Sequence, residues 1–480
     1  MMADNDTPDA TTPSNILDMI QIKKRRASKP KPEPSLQAFS DSDDDLATLF
    51  VDQNPDMRYV AKWGKWLHWD GQVWAHDDML TVLSMAREMM RIFAASAEDD
   101  KQRRRLLAEA RINAVASLAR SDRRTASSVD QWDQDDLILN TPSGLIDLQT
   151  GEIRPHRPEA HCSKITAHGV VAGGCDLWVR FLLRVCGGDK DLMRFLQRVI
   201  GYCATGLTRE HAMFFCYGTG ANGKGTFLNM ICYVLHAYAV VAPMDVFIES
   251  SQERHPTELA MMAAKRVVVA QETEEGRKWA ESKVKAMTGG DPITARFMGK
   301  DFFTFLPKFK LLIAGNHKPA LRNIDEAIRR RFHLIPFTVT VPKEERDPEL
   351  FSKLKGEAEG IMQWIVNGAV EYFRIGLAPP ACVVEATREY FEDEDLFSAW
   401  VKECCDVGDP EFWEPRARMF ASWKAFAEAS NMRAGDAKAL VAKMTTAGFT
   451  PKRATSREGR YWEGIRLKLV EVKEDHRYGS

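Results

Sequence analysis

Several features that would narrow a function early are missing from this chain. There is no Cys-x-x-Cys spacing: the nine cysteines are scattered singly apart from the Cys404–Cys405 pair. That excludes a zinc ribbon or a dithiol redox motif and predicts reduced thiols. Nor is there a charge excess, since 66 basic and 68 acidic side chains leave a net −2. Near-neutrality argues against a uniformly basic, histone-like binder and is silent about local patches. No apolar run approaches the roughly 18 residues that span a bilayer, and the opening MMADNDTPDA lacks the basic and apolar regions of a leader peptide. The expectation is a soluble, cytoplasmic chain without membrane contact.

What is present is a core. Apolar residues make up 44 % of 480 positions, enough for about three domains at roughly 150 residues each. Residues 1–45 run from the basic IKKRRASKPKPEP to the acidic SDSDDDL and read as a disordered tail, because they bury too little to offset ordering entropy. A small mixed α/β module is expected over 46–165. Its WGKWLHWDGQVW segment sets Asp70-Gly71 between two short aromatic stretches, a hairpin signal, and Trp63, Trp66, Trp69 and Trp74 are expected to pack a small core rather than stack on bases. Helices are expected over 79–95 and 101–120.

Residues 166–378 read as a second domain. Helical spacing over 176–208 leads into short apolar runs alternating with helices over 209–340, the pattern of a parallel α/β sheet, and helices over 347–376 close it. Pro379-Pro380 marks a linker. Over 385–480, three helical patterns precede two short segments, the order of a winged helix. Lys452 to Lys468 holds six basic and two acidic residues, which suits a phosphate-contacting wing with Lys452, Arg453 and Arg460.

The densest signal is MFFCYGTGANGKGTFLNMICYVL. An apolar strand over 213–217 runs into GTGANGKGT and then a helix. Gly218, Gly220 and Gly223 let backbone N–H groups converge on phosphate oxygens at a helix N-terminus, and Lys224 supplies a point charge. The nucleotide-binding set is Gly218, Gly220, Ala221, Asn222, Gly223, Lys224, Gly225, Thr226 and Phe227. Because Gly225 occupies the usual hydroxyl position, the Mg²⁺ ligand is less clearly marked; it is assigned to Thr226.

A phosphate-binding loop of this kind needs a second strand ending in a carboxylate. KRVVVAQETEEG supplies one, with Glu272 nearest the strand end as the metal or water-positioning acid and Glu274 as its substitute. FKLLIAG then ends at Asn316, an amide that can position water or donate to a γ-phosphate. DEAIRRRFHLIPF sets Arg329, Arg330 and Arg331 before a further strand; an arginine so placed can serve a neighbouring subunit's γ-phosphate.

In this order, GTGANGKGT, VVVAQETEEG, TGGDPITARFMGKD, KLLIAGNHKP and DEAIRRRFHLIPF resemble the superfamily 3 helicases, in the branch of phage, plasmid and poxvirus primase-helicases. The resemblance implies an AAA+-like core, ATP and Mg²⁺ as cofactors, and a hexameric ring moving on single-stranded or forked DNA, 3′ to 5′, during replication in a bacterial host. It puts Lys224 and Thr226 on Walker A, Glu272 on Walker B, Asn316 on the sensor and Arg330 and Arg331 on the arginines acting in trans. Arg329 departs from the family pattern, so the choice of finger stays open. Arg296 and Lys300 fall on the DNA-tracking hairpin. The first 45 residues are too few and too polar for a primase, so a separate primase is an expected partner. From Asp291 to Phe337 nine basic and four acidic residues give a local surplus of +5. Two other classes compete: an initiator that binds origin duplex through the winged helix, and a nucleotide phosphotransferase suggested by GKGT alone.

Overall fold

A computed structural model describes residues 42–468 except 172, 250–256, 272–276, 322–324, 431, 433 and 454–458. The described chain forms two compact units, 42–55 with 80–125, and 56–79 with 126–468. The expected 46–165 module is therefore shared between them.

The first unit is helical: α1 Asp43–Gln53, α2 Thr81–Ala95, α3 Asp100–Leu106 and α4 Glu109–Ala119. The end of the expected tail proves to be a helix start. Ser42 Oγ accepts from Asp45 N at 3.1 Å, and Asp43, Asp44 and Asp45 fill the first turn, where the helix dipole favours anions. The same acidic run that reads as solvent-loving is thus a helix-capping signal. Residues 1–41, the remainder of that expectation, lie outside the described residues.

In the second unit, β1 Met57–Val60, β2 Lys65–Trp69, β3 Trp74–His76 and β4 Ala126–Ser127 form a sheet in the order β3-β2-β1-β4. Asp70 turns the expected hairpin by accepting from Gln72 N and Val73 N, each at 2.8 Å. Trp74, Leu67, Val60 and Trp132 pack the small core beneath it. β5 Ile138–Thr141, β6 Gly144–Asp147 and β7 Ile153–Arg154 make a second antiparallel sheet.

The central layer follows two lead-in helices, α5 Asp176–Val185 and α6 Lys190–Ala204. It contains β8 Met213–Tyr217, α7 Lys224–Leu235, β9 Ala239–Val241, α8 Thr257–Met262, β10 Val267–Gln271, α9 Glu281–Gly289, the short strands β11 Ile293–Ala295 and β12 Phe303–Phe305, β13 Lys310–Gly315, α10 Glu326–Arg329 and β14 Phe332–Pro336. Five strands lie parallel in the order β14-β8-β13-β10-β9. Their apolar runs are continuous because both faces are covered. Phe214, Cys216, Val267, Val269, Leu312 and Ile335 pack one side; Met213, Phe215, Val268, Leu311, Ile313 and Leu334 pack the other. This α/β sheet agrees with the expected core, and it brings the carboxyl ends of β8, β13, β10 and β14 to one edge, where open α/β sheets bind ligands.

Helices α11 Leu350–Lys355 and α12 Ala358–Ile375 close the layer. The linker expected at Pro379-Pro380 is instead the start of α13 Ala381–Cys404, whose N-cap is Pro380. Ala386, Tyr390 and Phe391 of α13 pack into the sheet's core, while Phe397 and Trp400 pack with Trp423, Met444 and Trp462. No joint interrupts the helix at 385, because its apolar positions meet one core and then the other; Pro380 precedes the helix, where its missing N–H breaks no helical hydrogen bond. The remaining elements are β15 Cys405–Val407, β16 Trp413–Pro415, α14 Arg416–Ala429, α15 Ala437–Ala447, β17 Thr450–Arg453, β18 Arg460–Glu463 and β19 Ile465–Leu467. They give the sheets β16-β18-β17 and β15-β19. Among the described residues no helix is long and apolar enough to cross a membrane.

Candidate nucleotide-binding site

The loop between β8 and α7 depends on two glycines, Gly218 and Gly223, that have no room for a side chain. A Cβ on Gly218 would lie 2.1 Å from Phe337 O. Gly223 has φ +82°, and its Cβ would meet Val185 Cγ1 at 2.6 Å, so the turn into α7 closes against α5 only without a side chain. Asn222 braces the loop: its Nδ2 donates to Phe337 O at 2.8 Å and its Oδ1 accepts from Lys224. The sequence pattern places this asparagine in the nucleotide-binding set, but its bracing role shows only in the fold, because its partners are Phe337, just past β14, and Lys224, at the start of α7.

Lys224 is buried and has no carboxylate partner among the described residues. Its Nζ donates to Gly218 O at 2.8 Å, Asn222 Oδ1 at 3.0 Å and Asn316 Oδ1 at 3.2 Å. Burial lowers its pKa, with the Cys216 side chain opposing. A buried ammonium satisfied by neutral oxygens is a strong electrostatic demand for an anion. Lys224 and Asn316, 92 positions apart, are joined because β8 and β13 are adjacent, with Tyr217 paired to Gly315.

The edge is completed by β10. Gln271, its last residue, lies opposite Ala314 and donates from Nε2 to Asn229 Oδ1 of α7 at 3.0 Å. Glu272, Glu274 and Glu275 follow directly but lie outside the described residues. Thr226 is half-buried in the first turn of α7. Among the described residues no His, Cys, Asp or Glu cluster is arranged to hold a metal. Phe227 leaves the nucleotide-binding set. It is fully buried, stacked on Trp178 at 5.8 Å, and its N–H is spent on Gly223 O; it anchors α7 instead.

The three arginines separate sharply. Arg331 is buried, with Nε donating to Thr288 Oγ1 at 3.1 Å and Nη1 to Ala327 O at 2.5 Å; burial and Arg330 hold its pKa down. It braces α9 and α10 of its own chain, which makes it the less accessible of the two arginines expected to act in trans. Arg329 pairs with Asp395 and lies over Phe391. Arg330 alone of the three is exposed.

Residues 47–187 match the family described as "D5 N terminal like", and residues 216–331 match the family of unknown function DUF5906. The chain is thus similar to D5-type proteins over its N-terminal part and to a second family over its central layer. It is 26 % identical to the candidate helicase L207/L206 of Acanthamoeba polyphaga mimivirus over 56 % of this chain and 30 % of that protein. It is 26 % identical to the candidate helicase 022R of Frog virus 3 over 45 % and 24 %, and 25 % identical to primase D5 of fowlpox virus over 29 % and 18 %. The chain thus spans less than a third of the length of these relatives. Among solved structures, the apo NrS-1 C-terminal region aligns at a TM-score of 0.47 and 10 % identity, covering 85 % of this chain and 87 % of that one.

The expected basic surplus of 291–337 is mostly internal wiring. Lys308 pairs with Asp136 at 2.7 Å. Lys310 is fully buried, donates to Thr205 O and Lys308 O, and is pushed down by burial to about 7. Lys318 lies 4.2 Å over the Tyr217 ring, and Arg296 lies 4.5 Å over Phe302. With Arg329 and Arg331 also engaged, Lys300 and Arg330 are the exposed, uncommitted cations among the described residues of this segment; Arg322 lies outside them. Arg296, expected to meet the DNA backbone, is half-buried with its guanidinium on the Phe302 ring.

The terminal hairpin keeps more of its charge. Lys452 pairs with Glu463 at 3.4 Å, but exposed Arg453 and Arg460 stand directly opposite each other, a like-charge cross-strand pair that disfavours the hairpin until an anion arrives. Arg416 lies over Trp462 at 4.9 Å, and its pKa is lowered by burial and then by Arg460.

Proposed function

We propose that this chain is an ATP-dependent DNA helicase of a phage, plasmid or integrated mobile element, working as a ring on single-stranded or forked DNA. The single observation that carries the reading is the convergence of buried Lys224 and Asn316 at the mouth of a glycine-built loop. Similarity to viral candidate helicases supports it. Lys224 would neutralise the β- and γ-phosphates of ATP, the loop N–H groups would cradle them, and Thr226 with Glu272 would hold Mg²⁺, whose chemistry is to spread charge off the transferred phosphoryl group. Asn316, neutral and already within reach of Lys224, would orient the attacking water. Arg330, the exposed member of its triplet, would reach the neighbouring subunit's γ-phosphate. A six-membered ring and 3′ to 5′ movement come from the family resemblance. Lys300 at the tip of the β11–β12 hairpin would follow the strand.

The C-terminal elements read as a winged helix, with Arg453 and Arg460 as its phosphate-contacting residues. That cross-strand arginine pair also favours a second, compatible role, binding of origin duplex. The test is ATP hydrolysis with and without single-stranded DNA, followed by displacement of a strand from a forked substrate. DNA-stimulated turnover that disappears in Lys224→Ala supports the reading; turnover indifferent to DNA would return the phosphotransferase.

A further inference from the structure

The β11–β12 hairpin carries a chemistry at its tip that phosphate contact does not require. The strands pair through Ile293↔Phe305, Thr294↔Thr304 and Ala295↔Phe303, leaving 296–302 as the connection. Ile293 and Ala295 are buried, and Phe305 packs against the core. A ladder of rings rises from it, Phe305 to Phe303 at 6.0 Å and Phe303 to Phe297 at 6.0 Å, the latter nearly parallel at 22°. Beyond the ladder Met298 is 78 % exposed and Phe302 59 %, with Phe297 at 45 % and Leu306 at 62 %.

Exposed apolar groups in such proximity mark interaction sites. The cations here point the same way. Arg296 is held over one face of the Phe302 ring, and its Nε is buried with no hydrogen-bond partner among the described residues. Arg296, Lys300 and Asp301 give the connection a net charge of +1, so phosphate neutralisation there amounts to about one contact, that of Lys300. A ring with one face against a guanidinium and the rest open to solvent is suited to a flat, unpaired base, which stacks on aromatic side chains whatever its identity. A duplex hides its base faces and cannot use it.

We propose that residues 296–302 engage unpaired nucleobases by stacking on Phe302, flanked by Met298, with Arg296 a positioning residue that orients the ring. The proposal rests on the DNA reading above and names which part of the strand the hairpin grips. Stacking moves the hairpin base by base, so its grip would depend on bases being present and only weakly on salt.

Fluorescence anisotropy of the full chain with a labelled oligothymidylate and with an abasic strand of equal length tests it. The base-bearing strand should bind about ten-fold tighter or more. Phe302→Ala and, separately, Met298→Ser should move that ratio toward one, and Phe302→Trp should restore it. Arg296→Gln should lower the ratio while leaving the salt slope unchanged; a phosphate ligand would instead take about 0.7 from the slope. Equal binding of both strands by the intact protein overturns stacking and leaves the helicase reading standing. A changed molecular mass of Phe302→Ala with the ratio intact overturns it in favour of a protein contact. Failure to bind either strand overturns both readings together.

Discussion

The loop after β8 and the basic segment 291–337 are both conspicuous in the sequence, yet the fold treats them in opposite ways. In the loop, Gly218, Asn222, Gly223 and Lys224 act through the backbone turn they create, and Asn316 arrives at Lys224 as the strand order requires. In the basic segment, Lys308, Lys310, Lys318, Arg296, Arg329 and Arg331 are each engaged by a carboxylate, a carbonyl or a ring. A motif made of local geometry keeps its meaning on folding. A sum of charges does not, because each cation is as useful inside a protein as on it.

The largest effect should come from the loop. Lys224→Ala should reduce ATP hydrolysis to background while the chain still folds, since the three acceptors that lose their donor are offset in part by no longer burying a charge. Normal turnover would break the contrast at its stronger end.

Within the arginine triplet the two kinds of residue should part. Arg330→Ala should slow hydrolysis about 10³- to 10⁵-fold without loss of stability, and mixing it with Lys224→Ala subunits should restore part of the activity. Arg331→Ala should instead cost about 1–3 kcal/mol in urea melts, because Thr288 and Ala327 O lose their donor. An Arg331→Ala protein as stable as the parent and as inactive as Arg330→Ala would put both arginines in the same role and erase the contrast.

His333 extends the same argument to a group that could be cationic and is not. Packed on Phe214 and Phe195, it is pushed down by burial to about 4, with Glu210 opposing. Its folded pKa lies below its unfolded one, so between pH 6.5 and 4 the unfolded chain binds more protons and stability falls with acidity. The loss should approach about 3 kcal/mol, and His333→Phe should flatten that part of a stability–pH curve.

Smaller differences are expected at the charges themselves. Lys300→Ala should take about 0.7 from the salt slope of single-strand binding, while Lys308→Ala, already paired with Asp136, should leave the slope unchanged. At the terminal hairpin, Arg460→Ala should stabilise the chain by about 0.2–1 kcal/mol by removing the like-charge pair with Arg453, and weaken duplex binding at the same time.

Much of the site is legible in the amino-acid sequence. The parallel sheet follows from runs such as MFFCY and VVVAQ; the turn at Asp70-Gly71 and the loop at 218–224 follow from residues whose conformational preferences are local. Three features are not legible in that way. The acidic run 43–45 suits a tail or a helix start equally, and only its position beside Ser42 and a buried face decides. Phe227 follows the motif but belongs to the core because α7 turns it onto Trp178. The helix through 385 continues because its apolar positions meet one core and then another.

The sequence by itself determined the glycine-built loop at 218–224 and the succession of apolar strands along the chain, since each depends on short-range backbone chemistry in a fixed order. Only the tertiary structure decided which cations remain free, leaving Arg330 and Lys300 exposed and turning Arg296 onto Phe302. The physical reason is that a charge is assigned by what surrounds it, and its surroundings here come from residues as near as Phe302 and as far along the chain as Asp136 and Asp395.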